Sequence, residues 1–271
     1  MTPSHPFIQR FDHVAELYDS TRQLPRDIEE FVQATLRSLL SHSQPTLEIG
    51  VGTGRIARLL ADAGVPVLGL DASLPMLRVL NRKMGSMAVQ GDAHALPFAS
   101  KSVSSTLFSD VLHLLHDPWR AMNECARVAR NYIVTVAQFV SVRDLSSSVS
   151  AEKNHLGAYT AMAREAGVDP LRRYGLEIPV LIRLIPPAFA FSSNAVSESV
   201  TLSEALRALD TRTFSPQWSV PVELHSAIMA RLVRQEQHSR LERTWRCEIT
   251  AWRAADLEDV RLRSSEMRMF L

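Results

Sequence analysis

The sequence predicts a doubly wound α/β fold: a mostly parallel sheet with helices on both faces. Three observations predict it. Short apolar runs alternate with amphipathic runs from Thr46 to Phe139, the rhythm of strand–helix–strand units. The first apolar run, "TLEIG", enters a turn with glycines at alternate positions, Gly50, Gly52 and Gly54, and a helical pattern follows. Carboxylates, Asp71 and Asp92, close the second and third apolar runs. Right-handed crossovers then leave few topologies.

Each element has its own warrant. Ile28, Phe31, Val32, Thr35, Leu36 and Leu39 recur at helical spacing and predict a helix over 27–40. A buried strand at 46–50 leads to a helix over 54–64, where Gly64 suits the C-terminal cap. A second strand, 65–71, precedes a helix over 73–84 that Ser73 can cap. Strands follow at 86–92 and 102–111. Asp117 and Pro118 stand at the cap and first position of a helix over 117–130. A fifth strand spans 131–139.

Past Phe139 the rhythm breaks. "SSSVS" (146–150) reads as a loop, 154–167 as a helix, and 170–221, which holds most of the later prolines, as irregular. A helix is expected over 222–241. The alternation in "TWRCEITAWRA" (244–254) predicts a late strand at one edge of the sheet. The expected organisation is a helical N-terminal cap (1–44), a ligand-binding core (45–140), a cap over a second substrate (141–221), and a C-terminal helix with an edge strand (222–271), all in one domain.

Composition excludes several classes. Among 271 residues 46% are hydrophobic and 22% charged, an ordinary globular balance. Thirty basic and 29 acidic residues give a net charge of +1, no electrostatic footprint for nucleic acid. The most apolar later stretch, "IPVLIRLIPPAFAF", is broken by Arg183 and three prolines and does not suit a membrane span. The N-terminus lacks a signal-peptide core. Two distant cysteines, Cys125 and Cys247, have no metal-ligand spacing and read as reduced apolar residues of a cytoplasmic protein. No metal site is expected, and the oligomeric state is not readable.

The glycine turn carries the chemistry. A strand running into a tight turn and then a helix presents free backbone N–H groups to a ligand, and glycine permits positive φ and close approach. The spacing is Gly-x-Gly-x-Gly, not the dinucleotide Gly-x-Gly-x-x-Gly. Glu48, two residues before the first glycine, would repel a diphosphate but not an ammonium or sulfonium. Asp71, at the end of the second strand, fits a carboxylate that accepts from both ribose hydroxyls; a plain helix-start role ahead of Ser73 is the alternative.

"LEIGVGTGRIA", "GLDAS", "GDAHALPF" and "SDVLHLLHDPWRAMNECARVAR" resemble, in order and spacing, the motifs of class I S-adenosylmethionine-dependent methyltransferases. The likeness is to the small-molecule group that includes the ubiquinone and menaquinone biosynthesis enzymes. It covers about 11–140. It implies a Rossmann-like sheet of seven strands, S-adenosylmethionine as methyl donor and S-adenosylhomocysteine as product. It places Glu48, Gly50, Gly52 and Gly54 around the amino-acid end of the cofactor, Asp71 on the ribose, Ala72 and Met76 by the adenine, and Asp92 and the Ala93 amide on the adenine edge. Ser109 would offer its backbone near the methionine moiety. "FDHVAELYDSTR" resembles the family's segment that folds over the cofactor, with Tyr18 covering it and Arg22 meeting its carboxylate. Met76 as a plain core residue, and Tyr18 and Arg22 as part of an ordinary amphipathic helix, are the other readings. His94 stands where many relatives carry an acid.

Methyl transfer is an in-line displacement that needs alignment more than acid–base work. His113, just past the fourth strand, is the candidate base, with simple packing as the alternative. "TRTFSPQWSVP" (211–221) suggests an aromatic lid, built on Phe214 and Trp218, for an apolar small-molecule acceptor. Transfer by such an enzyme is the expected function. A catalytically silent cofactor-binding partner protein has the same motifs and is the alternative.

Overall fold

The computed structural model describes residues 11–85, 88–146, 152–170, 178–236 and 240–258. Five parallel strands form its centre: β1 (Thr46–Ile49), β2 (Val67–Asp71), β3 (Ala88–Gln90), β4 (Ser105–Ser109) and β5 (Tyr132–Asp144). The short β6 (Glu152–Lys153) and two later strands, β7 (Phe189–Ser192) and β8 (Val196–Val200), follow in the chain. The long β9 (Leu241–Arg253) completes the sheet. The order is β3-β2-β1-β4-β5-β9-β7, with β6 on β5 and β8 on β9.

Among the described residues nine strands therefore stand where seven were expected, although the main path has seven. The pairs of β9 with β5, β7 and β8 are antiparallel. β9 is not the expected edge strand. It pairs with β5 along its whole length, and β7 and β8 lie end to end on its other side. The residues from Ile249 to Trp252 are all buried, as a strand covered on both faces and both edges requires.

Helices cover both faces. α1 (Arg26–Leu39) and α2 (Arg55–Asp62) pack Ile28, Val32, Leu36, Ile56 and Leu60 against Leu107, Val134 and Ile249. α3 (Leu74–Met84) lies beside them, its Leu77 and Leu80 against Val51 and Ala57. α4 (Pro118–Val128) buries Ala121, Met122 and Cys125 against Leu47, Ile49, Phe108 and Ile133 on the opposite face. The expected caps are present: Ser73 Oγ accepts from Met76 N, and Asp117 accepts from Arg120 N. Both cysteines are free and buried.

The later half is more regular than its prolines suggested. α5 (His155–Glu165) follows Asn154, whose side chain caps it. The stretch 170–221, read as irregular, contains α6 (Ile178–Leu184), β7, β8 and α7 (Leu202–Asp210). Its strands escaped notice because they pair with β9, a partner some fifty residues downstream, rather than with a local hairpin. α8 (Val222–Glu236) ends before the expected Leu241, which begins β9, and α9 (Ala254–Glu258) closes the described chain. α5, α7 and α8 share a second small core around Tyr159, Leu206, Leu209 and Ile228. The expected loop at 146–150 lies outside the described residues beyond Ser146. No helix among the described residues is long and apolar enough to cross a membrane.

Candidate active site

The site lies at the carboxyl ends of the parallel strands, where open α/β sheets hold ligands. The glycine turn leaves β1 with three left-handed residues: Gly50 at φ +67°, Gly52 at +55° and Gly54 at +84°. Their surroundings differ. A Cβ on Gly50 would stand 2.4 Å from Val111 Cγ2, and one on Gly54 would stand 2.2 Å from Leu80 Cδ1. One on Gly52 would meet only Gly50 O, at 3.9 Å. Gly50 and Gly54 are thus required by packing, whereas Gly52 faces open space, a cradle that any side chain would begin to fill.

Asp71 ties this turn to the next element. Its Oδ2 accepts from Gly52 N at 2.8 Å and its Oδ1 from Ser73 N at 2.8 Å. Burial raises its pKa, opposed by the backbone donors of Ser73, Gly52 and Ala72. Beneath the turn, Glu48 is 2% exposed and its Oε2 has no hydrogen-bond partner. Burial pushes its carboxyl up to about 8; Arg55 works against the shift and Asp71 adds to it. A buried carboxyl with one unpartnered oxygen, beside an open glycine cradle, suits a ligand that brings a cationic group.

Asp92 and Ala93 follow β3. Asp92 is exposed and Ala93 is buried. Ser109 ends β4, and its buried Oγ has no partner. Ala72 follows Asp71, its carbonyl accepting from Gln90 Nε2. Met76 is 3% exposed and packs with Val14, Ala15 and Val79 under the N-terminal segment.

A cavity of about 980 Å³ opens beside this group. Tyr18, Arg22 and His113 line it, with Val140, Phe214 and Trp245 among its apolar walls. Arg22 is packed over the Phe214 ring at 4.1 Å, and burial lowers its pKa. His113 sits on a short 3-10 turn, Leu112–Leu114. The sequence-derived residues therefore fall into two clusters, the turn with its carboxylates and the cavity wall.

Arg55 joins the clusters, and sequence reasoning missed it. It is the first residue of α2, directly after Gly54. Its Nη1 donates to Arg22 O (2.9 Å) and Gln138 Oε1 (2.8 Å), and its Nη2 meets Asp110 Oδ2 at 3.1 Å. Asp110 itself has φ +54° and lines the cavity. The signal was present, an arginine abutting the glycine motif, but its partners come from β5 and the N-terminal segment, far away in sequence.

The family described as "Methyltransferase domain" matches residues 47–132. The demethylmenaquinone methyltransferase of Renibacterium salmoninarum is 30% identical over 222 residues, covering 78% of this chain and 81% of that protein. The chain belongs to the class I S-adenosylmethionine-dependent methyltransferases. It is similar to the ubiquinone and menaquinone type, and it is an enzyme that transfers a methyl group from S-adenosylmethionine. The malonyl-[acyl-carrier protein] O-methyltransferase of Methylococcus capsulatus is 34% identical across 126 residues, 44% of this chain and 46% of that protein. The fold matches YcgJ from Bacillus subtilis with a TM-score of 0.52 at 14% identity, covering 82% of this chain and 97% of that one.

One expectation about the methyltransferase's lid does not hold. Trp218 is not in the cavity wall. Its Nε1 donates to Arg212 O at 2.7 Å, and its ring meets Phe11 edge-on at 4.9 Å, beside the Met76 cluster. The loop turns it away because Gln217 is anchored inward, donating to Leu209 O and accepting from Phe214 N. Phe214, of the same loop, does line the cavity.

Proposed function

We propose that the glycine turn holds the amino-acid end of S-adenosylmethionine and that the adjoining cavity holds an apolar small-molecule acceptor. The observation that carries this reading is the pairing of an open cradle at Gly52 with the carboxylate of Asp71 bound to its N–H. Glu48 and the backbone of Gly50, Gly52 and Gly54 surround the ammonium end. Asp71 accepts from the ribose hydroxyls, each carboxylate oxygen having a lone pair beyond its backbone bond. Ala72 and Met76 flank the adenine, and Asp92 and the Ala93 amide read its edge. Ser109 lies by the methionine chain. The buried guanidinium of Arg22 gains a counter-charge in the cofactor carboxylate, and Tyr18 covers the site.

The sulfonium supplies a methyl group already activated for displacement. The protein's task is then to align an acceptor with it and keep water away. Val140, Phe214 and Trp245 give the acceptor an apolar seat, and the segment 141–221 that contributes Phe214 sets its choice. His113 takes the proton of an acceptor that must lose one. The relative from Renibacterium salmoninarum is named for demethylmenaquinone, so a quinol carrying an apolar tail is the first acceptor to offer. A cytoplasmic location suits the two reduced, buried cysteines.

The test is calorimetric titration with S-adenosylhomocysteine, followed by methyl incorporation from labelled S-adenosylmethionine into quinol and metabolite pools. Asp71→Ala should weaken cofactor binding by roughly 2–4 kcal/mol, the loss of charged hydrogen bonds. An unchanged dissociation constant in the folded variant removes Asp71 from the site. Binding without any methyl transfer across the pools would favour a silent cofactor-binding protein.

A further inference from the structure

We propose that His94 is a positioning residue for adenine recognition: it saturates one oxygen of Asp92 and so fixes the other to accept from the adenine amine. The inference rests on the reading of Asp92 given above and concerns the residue behind it.

Asp92 Oδ1 accepts two hydrogen bonds from the same residue, from His94 N at 2.9 Å and from His94 Nδ1 at 2.6 Å. A carboxylate only accepts, so the ring proton of this bond is on Nδ1. The two partners are exposed very differently. The Asp92 side chain is 65% exposed and the His94 side chain 7%. The carboxylate is therefore open to a ligand while its support stays in the protein.

The support is itself held. The His116 ring lies over the His94 ring, 4.1 Å between centroids. Arg120 Nε donates to His94 O at 2.9 Å, tying the loop to α4. Asp92 and Ala95 form an isolated bridge that closes the turn around them. A free aspartate rotates about its last bond and presents either oxygen. Two donors on Oδ1 stop that rotation and leave Oδ2 as the one directed acceptor. Partial burial raises the Asp92 pKa, yet the His94 donors outweigh it and hold the carboxyl below its usual range. Asp92 then offers acceptors only, the complement of an exocyclic amine.

The experiment compares S-adenosylhomocysteine with its 6-deamino, purine riboside counterpart, by calorimetry on the full chain. Wild type should prefer the amine-bearing ligand by about tenfold or more, the worth of one charge-assisted hydrogen bond. Asp92→Ala should bring that ratio close to one. His94→Ala should cut it several-fold while the deamino ligand binds nearly as before. His94→Asn places an amide donor where Nδ1 stood and should retain the ratio. His94→Gln fills the same space with its donor displaced and should lose it, so the Asn and Gln pair decides the matter if the alanine variant does not fold. Equal weakening of both ligands by His94→Gln, or an unchanged ratio, overturns the role of His94 alone. An unchanged ratio in Asp92→Ala overturns the reading of Asp92 and this inference with it.

Discussion

Glu48 shows how much one side chain can carry. It stands on β1 with its neighbours Thr46, Leu47 and Ile49 also buried. Its carboxyl has one unpartnered oxygen and a pKa raised from 4.5 to about 8, chiefly by burial. The folded chain therefore binds this proton more tightly than the unfolded chain. Stability from the protonated group is complete below about pH 4.5 and is lost as pH rises toward 8. Each unit of difference is worth roughly 1.4 kcal/mol. Glu48→Gln, which keeps the shape and cannot ionise, should melt close to wild type at pH 5 and clearly above it at pH 8.5 without ligand. Parallel melting curves across that range would show that the carboxyl is not buried as described. The same substitution should weaken cofactor binding at neutral pH, because the amide cannot give up a proton to form a carboxylate opposite the proposed ammonium. Asp71 differs: its oxygens already serve two backbone donors, so Asp71→Ala should lower the melting temperature as well as the affinity. Nothing in "GLDAS" shows that Gly52 N lies within reach of its carboxylate.

The glycine turn is the element on which the site is built. All three glycines are left-handed, but for different reasons. Gly50 lies against Val111, a β-branched side chain with little freedom to move aside. Gly52 adjoins only its own turn. Gly50→Ala should therefore destabilise the protein well beyond the roughly 1–2 kcal/mol that the left-handed conformation costs an L-residue. Gly52→Ala should cost about that amount and no more, yet abolish measurable binding of S-adenosylhomocysteine. Chemical denaturation and calorimetry on both variants separate the two effects. Similar losses of stability in the two would mean that Gly52 is a packing residue and the cradle is closed. The motif spacing announced this element correctly. It did not say which glycine faces open space, because that depends on Val111 and Leu80, which other elements bring in.

Across the whole molecule, the N-terminal segment is strapped to both halves of the chain. Thr53 Oγ1 and Lys83 Nζ donate to Asp19, and Ser73 Oγ donates to Asp12, on the core side. Arg22 lies over the Phe214 ring and Phe11 meets Trp218 edge-on, on the side of the later half. Trp218 is thus a clasp, not an acceptor contact. Trp218→Ala should loosen residues 11–24, seen as faster amide exchange there, and should weaken cofactor binding several-fold. A raised Michaelis constant for the acceptor at unchanged cofactor affinity would instead return Trp218 to the cavity.

The sequence by itself determined the strand–helix rhythm from Thr46 to Phe139, the glycine turn that leaves the first strand, and the carboxylates that close the strands. These depend on local periodicity and on residues within one turn of each other, so a linear reading reaches them. Only the tertiary structure decided the rest. It moved β9 from the edge to the interior, recruited β7 and β8 into the sheet, brought Arg55 to Gln138 and Arg22, and turned Trp218 toward Phe11. Each of these is a contact between segments far apart in the chain. Its energy comes from burying surface that both partners must supply, and neither partner's sequence carries the address of the other.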